Sequence, residues 1–493
     1  MERYIKKTVS VLSILGMVPC LATGAMLDNL PTFDQTPHFD DALSKELNSD
    51  SVTDWLIHYQ KRADQNGYMD LNQVYQQALQ QSDLYQSQRL QMKRDTQSHK
   101  ISFGAFLPHV DLQANITGLR AEQLDLGASG NVTTRSAGLD VSQTLFDYHD
   151  YAAYWSDLAS DQASHRKWEG QQLDFIYNVA KAYFGVLNAY DQAMFAKQNT
   201  QAASSTLHET QLRESSGLAT QPDVQIAKSG YYQALANYRQ ASNTIQQAFF
   251  DLYRYTGEID QAFMPLKADL DFQLPAQKRS QQEWIQVALQ NNPMIQQRQR
   301  EKQSAYYDRQ NTLANFMPAF NLKAGYAYHD NTVDSIIAPY VNQVEGSFGS
   351  GYVRLEVQWN IFQGGAHFAQ QKQSASQYMA SNYDLIQQKR QVRQAIVSDY
   401  TSIESTIGQI DAFQQAVKSA EIAYKQALSR YKVGMVVIRQ VLDQQKRLYE
   451  AASQLADAKY QYILSVLKLK QDAGVLSQQD ITYFNHWLKQ EAS

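Results

Sequence analysis

Residues 352–362, YVRLEVQWNIF, alternate without a break. Val353, Leu355, Val357, Trp359 and Ile361 fall on one side, and Arg354, Glu356, Gln358 and Asn360 on the other. Successive side chains of an extended strand point to opposite faces, so the segment is predicted as a strand with one apolar and one polar face. A strand of about 9–11 tilted residues is also long enough to cross a bilayer. Three more stretches share the pattern. In 108–117, Val110, Leu112, Ala114 and Ile116 alternate with Asp111, Gln113, Asn115 and Thr117. In 319–328, Phe320, Leu322, Ala324, Tyr326 and Tyr328 alternate with Asn321, Lys323 and Gly325. In 138–146, Leu139, Val141 and Leu145 alternate with Asp140, Ser142 and Thr144, interrupted at Gln143. Such strands suit a soluble sandwich or a membrane sheet. The rest of the chain offers no second sheet for a sandwich to pack on.

The strands come in pairs because the chain repeats itself. EWIQVALQNNPMIQQRQREK resembles the earlier DLNQVYQQALQQSDLYQSQR, ANFMPAFNLKAGY resembles GAFLPHVDLQANI, and Gly434 answers Gly217. One unit is therefore helix, strand, loop, strand, long helix, glycine turn, helix. The expected division is a first repeat over 68–256 and a second over 279–480, joined by a linker at 257–278 and followed by a tail at 481–493.

The helices carry a seven-residue repeat. Ile396, Ile403, Ile410, Val417, Tyr424 and Tyr431 follow it before Gly434, and Val441, Leu448, Leu455, Tyr462 and Leu469 after it. Such a repeat makes helices supercoil around one another. The first unit keeps it less cleanly, with Asp191 between Leu187 and Met194. The apolar stripes are narrow, which predicts a one-layer wall of helices wet on both sides rather than one thick core. Residues 70–106 are predicted as one helix closed by Pro108. Gly217 and Gly434 suit the left-handed position after a helix, and Thr220-Gln-Pro-Asp223 restarts a helix with a cap, an early proline and an acid.

Composition narrows the function. The 493 residues carry a net charge of −5, so no bulk basic surface points to nucleic acid. Glycine (22) and proline (10) are scarce, which favours long helices. A mean hydropathy of −0.50 argues against a helical membrane protein. Residues 1–25 read as a secretory signal, with Arg3, Lys6 and Lys7, an apolar core at 9–21 and a small-residue cleavage site at 22–25. The one cysteine, Cys20, lies inside it, leaving the mature chain no disulfide or thiolate metal site. Residues 26–67 are acidic and read as a loosely ordered arm. There is no HExxH, P-loop or GxSxG, and the ten histidines are scattered. No enzyme activity, cofactor or metal is expected. The glycine-rich 346–351, GSFGSG, is read as a surface loop.

The duplicated unit, the strand openings at Leu107-Pro108 and Met317-Pro318, the AYFGVLNAYDQ stretch and the turns SGLATQPDV and YKVGMVVIRQVLD together resemble the TolC family of outer-membrane efflux proteins. The resemblance implies a homotrimer in the outer membrane of a Gram-negative bacterium. It implies a 12-strand β-barrel continued by a 12-helix coiled-coil periplasmic tunnel, one four-strand, four-helix share per chain. It also implies export of drugs or proteins, as in type I secretion, with a periplasmic adaptor (a membrane fusion protein) and an inner-membrane pump of RND, ABC or MFS type. The family closes its tunnel at the glycine turns. The matching gate positions are Tyr431, Asp223, Gln440 and Asp443, with Val436 where a well-studied member has arginine, Gln440 in place of an aspartate and Pro222 in place of a threonine. A tyrosine–aspartate latch and a single acidic ring of Asp443 are then expected. Asp223 equally fits a plain helix N-terminal acid, and Asp443 a solvated helix position. The turns Ser216-Gly217-Leu218 and Val433-Gly434-Met435 match the family's adaptor-docking tips. The competing reading is an exported coiled-coil structural or adhesin-like protein with no conducting lumen, against which the duplicated strand pairs argue.

Overall fold

The computed structural model describes residues 55–123, 128–257, 261–267, 279–334 and 346–488. The signal-like segment and residues 26–54 of the acidic arm lie outside the described residues. In chain order the elements are α1 (Trp55–Asn66), β1 (Tyr68–Met69), α2 (Leu71–Gln81), α3 (Asp83–Asp95), α4 (Ser98–Phe103), β2 (His109–Gln123), β3 (Ala128–Phe146), α5 (Tyr148–Ser215), α6 (Gln221–Thr256), β4 (Ala262–Phe263), α7 (Gln281–Asn291), α8 (Pro293–Ala314), β5 (Ala319–Asp334), β6 (Gly346–Gln358), α9 (Ala366–Lys432), α10 (Ile438–Asp472) and α11 (Gln478–Asn485).

Each repeat opens with a broken helix. A capping box of Asp70 and Gln73 starts α2, and one of Ser280 and Glu283 starts α7. Ser82 ends α2 and caps α3, just as Asn292 ends α7 and caps α8. The single helix predicted over 70–106 is therefore corrected to α2, α3, α4 and a 3-10 turn at Gly104–Phe106. The cause at Ser82 is local. Its hydroxyl accepts the Tyr85 amide and competes with the helix backbone.

The four long strands form one antiparallel sheet in the order β2-β3-β5-β6. Each hairpin belongs to one repeat, and β3 pairing with β5 joins the two. The strands run further than the alternation indicated. Residues 346–351 are not a loop but the start of β6, with Gly349 opposite Tyr328 and Gly351 opposite Tyr326. The glycines make room there, since a side chain at Gly349 would collide with the Tyr326 hydroxyl. At the other end β6 stops at Gln358, before Trp359, whose indole N–H donates to the Phe316 carbonyl at 3.2 Å.

The helical body is built on α5 (68 residues) and α9 (67 residues), each about 100 Å long at the rise of an α-helix. After its glycine turn, α6 runs back along α5 and α10 along α9, while α8 packs on both long helices. Ile396, Ile403, Ile410 and Tyr431 are buried, as are Val441, Tyr462 and Leu469. Asp191, the break in the first unit's pattern, accepts the Tyr460 hydroxyl at 2.7 Å.

The wall is not thin everywhere. A large core gathers Leu56, Leu71, Tyr183, Phe184, Phe263, Tyr462 and Phe484. Three of its contributors come from segments predicted as arm, linker and tail. Helix α1 presents buried Trp55, Leu56 and Tyr59, β4 pairs in parallel with β1, and α11 supplies Ile481 and Phe484. Two buried tyrosines serve the short β1–β4 pair. Tyr59 accepts the Phe263 amide at 2.8 Å, and Tyr183 donates to the Met69 and Met264 carbonyls at 3.2 Å. Burial pushes both phenols well above their ordinary range.

Candidate functional site

Two places stand out: the exposed face of the four-stranded sheet and the pair of turns where α5 and α9 end. On the sheet, register aligns the apolar residues into one face. Val110 lies opposite Val141, Leu112 opposite Leu139, Leu139 opposite Tyr326, Leu322 opposite Leu355 and Ala324 opposite Val353. These residues are open to solvent in the single chain. Leu112, Tyr326, Val353 and Leu355 are all more than 60% exposed. A contiguous apolar face of this kind marks a membrane or partner contact.

The opposite face is polar and internally paired. Lys323 Nζ lies 3.1 Å from Glu356 Oε2, and Arg354 shares the same carboxylate at 3.6 Å. Tyr352 reaches across Gly325 to donate to Asp140 Oδ1 at 2.7 Å. Gly325 is needed for this, since a Cβ there would press on the Tyr352 ring and on Asp140. Among the described residues neither β2 nor β6 has a partner on its outer edge.

Helices α5 and α9 end in the same turn. The Leu218 amide donates to Arg213 O at 2.7 Å and that of Gly217 to Glu214 O at 2.9 Å. The Met435 amide donates to Arg430 O at 2.9 Å and that of Gly434 to Tyr431 O at 3.0 Å. Gly217 and Gly434 hold φ of 70° and 76°, the left-handed conformation this double bond requires. Ser216 and Val433 are the C-caps just before them. Beyond the glycines Leu218 and Met435 stand exposed, with Val433 and Val437 beside them.

The next helices start differently. Thr220 caps α6, and Asp223 closes the box by accepting the Thr220 amide at 3.0 Å and its hydroxyl at 2.7 Å. Those bonds, from the hydroxyl first, hold the Asp223 carboxyl below the usual carboxylate range. Helix α10 starts at Val437 with no side-chain cap.

Tyr431 is buried, and its hydroxyl pairs with Thr210 Oγ1 at 3.1 Å. With Asp223 engaged by Thr220, the tyrosine–aspartate pair expected from the sequence is not formed within the chain. Val436 is half-buried against a small tip core of Ala227, Ala427, Tyr431, Ile438 and Val441. Gln440 and Asp443 are exposed one turn apart on α10, while Val441 between them is buried. Thr210 and Arg213 are tip residues that the sequence did not reveal. In the sequence Arg213 is one basic residue near a glycine turn, and basic residues are common in a last helical turn.

Among the described residues no group of three or more His, Cys, Asp or Glu could hold a metal, and no helix is long and apolar enough to cross a membrane. The sequence matches the family described as outer membrane efflux protein over residues 74–258 and again over 284–475. The chain belongs to that family. It is similar to the outer membrane protein TolC of Vibrio cholerae, with 27% identity over 420 residues, 85% of this chain and 94% of that one. It is similar to the alkaline protease secretion protein AprF of Pseudomonas aeruginosa, with 25% identity over 350 residues, 70% of each. Its fold is like that of the Campylobacter jejuni CmeC outer membrane channel, with a TM-score of 0.70, 17% identity, and 86% and 90% of the two chains covered.

As an outer membrane efflux protein the chain is an exit duct of the Gram-negative outer membrane, with its helices on the periplasmic side. Each half of the double family match contains one strand hairpin and one glycine turn.

Proposed function

We propose that three copies join their sheets into a 12-strand barrel, four strands from each chain, and continue it as a 12-helix periplasmic tunnel from α5, α6, α9 and α10. The observation that carries this is the open sheet with an exposed apolar face. An open edge cannot lie in hydrocarbon, because its amide and carbonyl groups find no partner there. Pairing β6 of one copy with β2 of the next removes every edge. The units 68–256 and 279–480 act as pseudo-equivalent halves of the wall.

The duct is passive and serves a tripartite efflux or type I secretion system. The likeness to a protease secretion protein supports protein cargo alongside efflux. A periplasmic adaptor docks on the exposed tips around Leu218 and Met435, and an inner-membrane pump of RND, ABC or MFS type supplies the energy. The tip is the gate. Asp443 from three chains forms one acidic ring, with the neutral Gln440 one turn away and Tyr431 fixing the helix end. Carboxylates near an axis repel one another and favour bound cations.

The test is outer-membrane fractionation followed by electrophoresis without boiling. The wild type is expected in the outer membrane as a trimer that dissociates on heating. Leu355→Arg places a charge on the lipid face, at a cost of about 2–4 kcal/mol near the bilayer midplane, and is expected to reduce the inserted trimer sharply. Recovery of wild type as a soluble monomer would overturn the proposal.

A further inference from the structure

The tip holds a contact that the gate reading does not require. Arg213, in the last turn of α5, reaches across to the end of α9. Its guanidinium carbon lies 4.9 Å from the centroid of the Tyr431 ring, and Nη1 donates to the Lys432 carbonyl at 2.9 Å. One turn earlier on the same face, the buried Thr210 holds the Tyr431 hydroxyl. Lys432 is the last residue of α9, so its carbonyl belongs to the negative end of the helix dipole, where a cation is favoured. Among the described residues Arg213 makes no ion pair, and its buried Nε–H has no partner. An aromatic face and one helix-end carbonyl therefore hold the guanidinium in place.

We propose that Arg213 is an intrachain latch, a positioning residue that fastens the α9–α10 turn to α5 and so holds the gate in its shut arrangement. This role rests on the duct reading. An asymmetry between the two turns supports it. The α9–α10 turn has no side-chain cap at Val437, whereas α6 has the full Thr220–Asp223 box. The turn most in need of an outside tie is the one Arg213 reaches. Val436 meanwhile packs into the apolar tip core, and Arg213 brings a cation from α5 to a helix end that already carries Arg430 and Lys432 in its last turn.

The experiment uses detergent-solubilised full-length trimer and two readouts. The first is limited digestion with a lysine-specific protease, following the fragment that ends at Lys432. Arg213 bonds the carbonyl that the protease must attack. Arg213→Ala is expected to speed this cleavage about tenfold by shifting the local opening equilibrium. Cleavage after Lys425, within α9, should be unchanged. Tyr431→Phe keeps the ring under Arg213 and should leave Lys432 protected. An unchanged Lys432 rate in an intact Arg213→Ala trimer overturns the latch.

The second readout is planar-bilayer recording of the same trimers. Arg213→Ala is expected to open more often or in larger steps than wild type. Faster cleavage with wild-type conductance would refute control of the gate. Absence of steps from every trimer, Asp443→Ala included, would refute the duct reading instead, and the cleavage rates would still decide the latch.

Discussion

Asp399 on α9 faces Asp472 and Lys468 of α10, with Tyr177 of α5 5.5 Å from the Lys468 ammonium. Lys468 is paired with Asp472 at 2.9 Å, so Asp399 is the carboxyl left over. Burial, and then the neighbouring Asp472, push it up to about 7. Unfolded, it would titrate near its ordinary value of about 4. Between those values the folded chain binds the extra proton, so stability falls as pH rises and levels off above about 7. Asp399→Asn is expected to melt higher than wild type at pH 8 and to differ little at pH 5. Parallel melting curves across that range would contradict this. Nothing in the sequence marked Asp399, because the effect needs α9 and α10 placed side by side. Asp191 was visible as a break in the heptad, but its partner Tyr460 lies 269 positions away.

At the scale of elements, the strands and long helices were legible because each depends on a short-range pattern that the fold preserves. Alternation placed the four strands, and the glycines marked the ends of α5 and α9. The failures were equally physical. The extension of β6 through 346–351 was hidden because glycine has no face, and only the overlying Tyr326 explains it. The break at Ser82 carried no proline, unlike its counterpart at Asn292-Pro293. Helix α1 was missed because its apolar residues sit within an acidic stretch. The two glycine turns share one geometry and each projects an apolar knob. Replacing Leu218 by aspartate should leave the turn and the trimer intact, since the knob is 68% exposed. It is expected to abolish export, read as loss of drug resistance or secretion in cells. Undiminished export would rule out docking at this tip.

For the whole molecule, the sheet and the tip make one statement. In the trimer proposed above, other copies close the sheet around an axis, and the α10 helices, with their exposed Asp443 residues, gather around the same axis. The repeated order of helix, strand pair, long helix and glycine turn was legible in the duplicated sequence, while the contacts of Arg213 with Tyr431 and Lys432 needed coordinates, since they join residues from both repeats. The most direct measurement is single-channel recording of purified trimers in a planar bilayer, wild type beside Asp443→Ala, with divalent cation added. Discrete steps are expected from both, with larger steps or weaker cation block in the variant. Identical steps and block would remove Asp443 from the gate, and silence from both intact trimers would contradict the duct itself.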